Sequence, residues 1–112
     1  MKYSIENFNK RKIGDELTIY DVVALPDAQL DFVIAELDGN HPFIINHVSD
    51  RIYYILEGLG EVYSDSKWEP VASGDCVYIK KGDTHSIKGK LKYAIITSPP
   101  FMPQNETIES NI

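Results

Sequence analysis

Residues 52–62, IYYILEGLGEV, and 74–87, GDCVYIKKGDTHSI, decide how this chain of 112 residues folds. Each is a short run of β-branched and aromatic residues broken by glycine. The same texture extends outward through Tyr20–Leu25, Leu30–Leu37, Phe43–His47, Cys76–Ile79 and Lys92–Thr97. Turn residues separate the runs: Asp38-Gly39-Asn40, Ser73-Gly74-Asp75 and Lys81-Gly82-Asp83. Short strands with frequent turn signals predict an all-β sandwich or barrel. No stretch repeats its apolar residues at a helical period, which disfavours a parallel α/β sheet. The barrel is expected over about residues 20–103, with an irregular N-terminal arm at 1–19 docked by Ile5, Phe8, Ile13 and Leu17. Pro99, Pro100 and Pro103 end the β pattern, since proline cannot donate to a ladder. The polar tail at 104–112 is expected to fray.

Composition narrows the functions. One domain is expected at this length. Eleven Lys and Arg face seventeen Asp and Glu, a net charge of -6. A nucleic-acid backbone or an anionic lipid surface is therefore not the expected partner. Cys76 is the single cysteine, so neither an internal disulfide nor a Cys-rich zinc site can form within the chain. With no signal-peptide pattern and no long apolar run, a soluble cytoplasmic protein is expected.

Two glycine-framed segments resemble the signature motifs of the cupin superfamily. Gly39, five residues, Ile45, Asn46, His47, three residues, Arg51, six residues and Gly58 keep the register of the first motif. Ile45 stands where that motif has its first histidine, and Arg51 where it has its glutamate. Gly74, Gly82 and His85 keep the register of the second, with Lys80 in its proline place and Gly89 in its asparagine place. The resemblance implies a small single-domain cupin, a double-stranded β-helix or jelly-roll barrel. It also implies that Gly58, Gly74 and Gly82 serve tight strand reversals, where a positive φ costs glycine little.

In metal-dependent cupins three histidines and a glutamate converge on one ion. Alternation along strands would turn Ile45, His47, Arg51, Tyr53 and Ile55 inward, with His85 from the second motif. Two imidazoles are a poor ligand set. A guanidinium cannot ligate, and pointed inward it repels a cation while favouring an anion. Outward, it would pair with Asp50 or Glu57. No cofactor is therefore expected; the alternative is Zn, Fe, Mn or Ni held by His47 and His85. His41 reads as a loop residue beside Pro42 or a displaced ligand. Cys76, opposite in parity to Val77, reads as a packed structural residue.

Three functions compete. The first is a metal-independent cupin binding a polar or anionic, sugar-derived metabolite. His47 or His85 would be its base, Tyr53 its acid and Arg51 its anchor, for isomerisation, epimerisation or elimination. The second is a metal-dependent enzyme built on His47 and His85. The third is a non-catalytic binding or sensing module, or a barrel filled by side chains such as Ile45. Whether the chain is an enzyme stays open at this point. The resemblance further implies a homodimer paired through the N-terminal arm or the run Leu30–Leu37.

Overall fold

The computed structural model describes residues 1–4, 9–25 and 27–109. Nine strands follow in chain order: β1 (Asn9–Ile13), β2 (Leu17–Val23), β3 (Asp31–Asn40), β4 (Ile44–Asn46), β5 (Asp50–Ser64), β6 (Lys67–Ala72), β7 (Cys76–Ile79), β8 (Ser86–Ser98) and β9 (Glu106–Ile108). The larger sheet runs β1-β2-β3-β8-β5-β6, with β7 also on β5. All its pairings are antiparallel. A second sheet is the ribbon β4-β9. No described helix is long and apolar enough to cross a membrane. The jelly-roll expectation thus holds in its all-β, antiparallel character.

β5 is the spine. One edge follows β8 almost throughout, from Asp50↔Ser98 to Tyr63↔Ser86. Its other edge is shared, with β7 over Arg51–Tyr54 and β6 over Leu59–Ser64. Arg51, Tyr53 and Ile55 are buried while Tyr54 is exposed, as alternation along a strand requires. They point into a core that includes Ile19, Ala35, Leu37, Val62, Ile87 and Tyr93.

The structure corrects four expectations. The N-terminal segment is not wholly irregular: Asn9–Ile13 pairs with Leu17–Val23 as a hairpin. Every residue of β1 is exposed, so no apolar alternation marked it in sequence. Ile5 and Phe8 lie outside the described residues. The tail carries β9, held to β4 through Asn46↔Glu106 and its neighbours. Gly58 lies inside β5 rather than at a reversal. Its φ is +95°, and a Cβ there would collide with the Lys90 carbonyl of β8. Glycine thus lets the two longest strands close up where the register of β5 shifts between Ile55 and Glu57. Gly74 and Gly82 do sit at turns with positive φ. Finally, Cys76 is exposed on the outer face of β7, across from Tyr54, and is not packed.

Candidate functional site

A cavity of about 280 Å³ opens inside the larger sheet. The register across three strands builds its polar wall. Asp31 on β3 pairs with Thr97 on β8, and Thr97 pairs with Arg51 on β5. One row further along lie Val33, Ile95 and Tyr53. Tyr93 meets the Tyr53 ring edge-on at 5.4 Å. Ile19, Val33, Ile44 and Ile95 make the remaining wall largely apolar.

Arg51 points inward and is 7% exposed. It has a carboxylate partner that sequence reasoning missed. Nη2 donates to Glu106 Oε2 at 2.6 Å, Nε to Thr97 Oγ1 at 3.2 Å, and Nη1 to His85 Nε2 at 3.3 Å. Asn46 Nδ2 donates to the same Glu106 oxygen at 3.1 Å. A buried guanidinium needs such compensation, because an unpaired charge in the interior is expensive. The short strand β9 supplies it. No pattern in the polar tail announces a three-residue strand, so Glu106 carried no sequence signal.

His85 is 1% exposed, clamped by reciprocal backbone hydrogen bonds with Ile44. Its Nδ1 donates to the Asp83 carbonyl at 3.0 Å. A carbonyl only accepts, so the proton is on Nδ1 and the Nε2 lone pair takes the Arg51 donor. Burial first, and then the Arg51 charge, push its pKa down to about 4. His85 is thus a neutral ring whose lone pair is already engaged.

His47 does not enter the cavity. It is exposed and its Nε2 meets the Thr107 hydroxyl at 2.8 Å. β4 ends at Asn46, which takes the buried place and turns the chain. Its Oδ1 accepts the backbone N–H groups of Val48 and Ser49 at 3.0 and 2.7 Å. The inward residues of β4 are therefore Ile44 and Asn46, not Ile45 and His47.

His41, and not His47, is the histidine that reaches the cavity from this side. It follows β3 directly and lines the cavity. Its Nδ1 donates to the Pro42 carbonyl at 2.7 Å, which leaves the lone pair on Nε2. Burial and the Arg51 charge lower its pKa, while the Pro42 hydrogen bond opposes them, so the ring is neutral near pH 7. Tyr53, 2% exposed, keeps its proton because burial raises its pKa against the pull of Arg51.

The charges around the cavity nearly cancel. Arg11 and Arg51 face Asp21, Asp31 and Glu106. Arg11 is held bidentate by Asp21 at 2.8 and 2.9 Å, and Arg51 donates one hydrogen bond to Glu106 at 2.6 Å. Each guanidinium thus already has a carboxylate partner. The residues do not fit the divalent ion of the metal-dependent alternative, since His47 lies outside the cavity. Among the described residues, no three His, Cys, Asp or Glu side chains are grouped to hold one. Arg51 stands in the carboxylate place and occupies the His85 lone pair.

The cupin domain family matches residues 33–91. An uncharacterised protein of Methanocaldococcus jannaschii is 33% identical over 67 residues, covering 56% of this chain. The match spans 54% of that relative's length, about half. Among solved structures, Pac13 from Streptomyces, described as a nucleoside dehydratase, superposes with a TM-score of 0.87 at 19% identity. That match covers 97% of this chain and 90% of Pac13. Variants of Pac13 lacking a tyrosine hydroxyl or a histidine have been solved with uridine. A predicted oxalate decarboxylase of Thermotoga maritima superposes at 0.79 with 18% identity, over 88% of this chain and 98% of that one. At such identities the likeness is one of fold. By the family match over more than half of its length, and by its antiparallel barrel, the chain belongs to the cupin domain family.

Proposed function

We propose that this cupin binds a neutral, hydroxylated small molecule, nucleoside- or sugar-derived, and eliminates water from it without a metal ion. The observation that carries the reading is His41, a neutral imidazole at the cavity wall with its Nε2 lone pair unclaimed by any hydrogen bond among the described residues. A general base near neutral pH needs that state. In the proposed step, Nε2 takes a proton from a carbon beside a carbonyl, and the C–O bond one carbon further on breaks. The departing hydroxide takes the Tyr53 proton and leaves as water. The proton on His41 then returns to Tyr53 through solvent. Near-cancelling charge around the cavity favours a neutral ligand over the anionic one that Arg51 alone would suggest. His85 and Arg51 position the site, and His47 has no part in it. The dehydratase description of Pac13 supports the same class by analogy of fold.

The test uses chelator-treated protein and a panel of β-hydroxy carbonyl compounds derived from sugars and nucleosides. Loss of water is followed by mass spectrometry. Turnover that falls at least a hundredfold in His41→Gln and Tyr53→Phe is the expected result. Turnover only after adding Zn, Mn, Fe or Ni refutes the reading. So does turnover unchanged in His41→Gln.

A homodimer belongs to the same proposal. The outward row Phe32, Ile96, Ile52 and Tyr78 crosses four strands, and Tyr54 beside it is 45% exposed. Such an apolar outer face suits a second copy of the chain.

A further inference from the structure

Asp31 has no role in the proton transfers above, yet its setting is unusual. It opens β3, lines the cavity and is 8% exposed. Among the described residues no Lys, Arg or His forms an ion pair with it. A carboxylate so buried is costly unless its lone pairs are met. Two are met within the fold. The backbone N–H of Phe101 donates to Oδ2 at 2.8 Å. Thr97 accepts from Arg51 through Oγ1, so its own hydroxyl proton is free to serve Asp31, its partner across the ladder. A carboxylate offers about four acceptor sites, so about two stay open toward the cavity.

We infer that Asp31 is a substrate-binding residue that accepts both hydroxyls of a vicinal diol, and that it selects a ribose-like ring over its deoxy counterpart. The inference rests on the proposed function and names its substrate class more closely. Two adjacent hydroxyls fill two acceptor sites and add no charge. A cationic ligand would meet the Arg51 and Arg11 charges nearby, and an anionic one would meet Asp31 itself. The wall beside this belt is apolar, formed by Ile19, Val33, Ile44 and Ile95. It suits the flat face of a ring attached to the diol. A ribonucleoside has both parts.

Two independent arms test it, both by calorimetry and ligand-observed NMR. In the first, native protein is titrated with uridine and with deoxyuridine. Uridine is expected to bind about ten- to hundredfold tighter, the worth of hydrogen bonds to a charged acceptor. In the second, Asp31→Asn keeps an oxygen for the Phe101 N–H but turns one acceptor into a donor. The preference should vanish, with uridine falling to the deoxyuridine level. Equal affinities in native protein overturn the inference and leave the dehydration reading to its own test. A preference that survives Asp31→Asn overturns it as well. So does failure of native protein to bind either probe, whatever the dehydration panel shows. The first arm needs no variant, so a misfolded Asp31→Asn would not shelter the idea.

Discussion

Glu106→Gln is the most informative single change, because it removes one charge and little else. Glutamine keeps an oxygen for Asn46 Nδ2 and for the Arg51 guanidinium. The Arg51 charge then stays buried with Thr97 and His85 as partners but no carboxylate in contact with it. The two side chains are 8% and 15% exposed, so solvent screens the pair only in part. With an effective dielectric constant of about 20, unit charges about 4 Å apart attract by about 4 kcal/mol. Part returns through the neutral hydrogen bond that glutamine can still make. A net loss of about 3 kcal/mol is expected, at the lower end for a buried pair stripped of one partner. For a domain of this size that lowers Tm by about 12–20 °C. Urea unfolding followed by circular dichroism measures it directly. Lys67→Gln is the control, since its 3.5 Å pair with Glu69 is well exposed and should contribute almost nothing. The double variant Arg51→Met/Glu106→Gln should recover most of the loss, because it removes both charges. Glu106→Gln within about 0.5 kcal/mol of native would refute the claim that Glu106 holds Arg51 in the wall.

Acid should weaken the fold through His85. Its folded pKa is about 4 against 6.5 unfolded, so the unfolded chain takes up the proton first. Stability from this group is complete above pH 6.5 and falls by about 3 kcal/mol as pH drops toward 4. Unfolding curves across that range should show a shallower loss in His85→Asn, and an identical slope would contradict the assignment. Gly58→Ala should cost several kcal/mol or prevent folding, because its Cβ would meet the Lys90 carbonyl. Gly74→Ala, with φ +93° but open space around it, should cost about 1–2 kcal/mol in the same denaturation assay. Ile52→Lys should convert a dimer to monomer in light scattering while circular dichroism stays native. A native protein that is already monomeric at high concentration would dispose of that interface.

The strands of the barrel were legible because long strands average out local accidents. β5 and β8 repeat the alternation often enough that parity places Tyr53 and Ile55 inward, while it leaves the direction of the charged Arg51 open. The site was less legible because its decisive residues sit on short or irregular segments. His47 follows a strand of three residues, and the Asn46 side chain turns the backbone before parity can carry His47 inside. His41 lies in the loop after β3, where alternation gives no direction. Glu106 is hidden in a polar tail, and its strand exists only through its ladder with β4. The parity of Cys76 was correct, but which face of β7 meets solvent depends on the layers beside it. Arg51 was the one position where sequence posed the right question, inward or outward. The answer depended on a carboxylate 55 residues further along the chain.

The ribbon β4-β9 has a kinetic consequence. Among the described residues β9 is hydrogen-bonded to β4 and to no strand of the larger sheet, and β4 is bridged at Ile44 to His85, just before β8. Local opening of such a ribbon needs no disruption of the barrel, so its amides would ordinarily exchange with solvent early. Here opening also strips the Arg51 cation of its counter-charge. The cost of uncovering that cation is added to the few hydrogen bonds of β9. Amide protection in β9 should therefore exceed what three residues warrant, and deuterium uptake there reports the electrostatic state of the cavity from outside it.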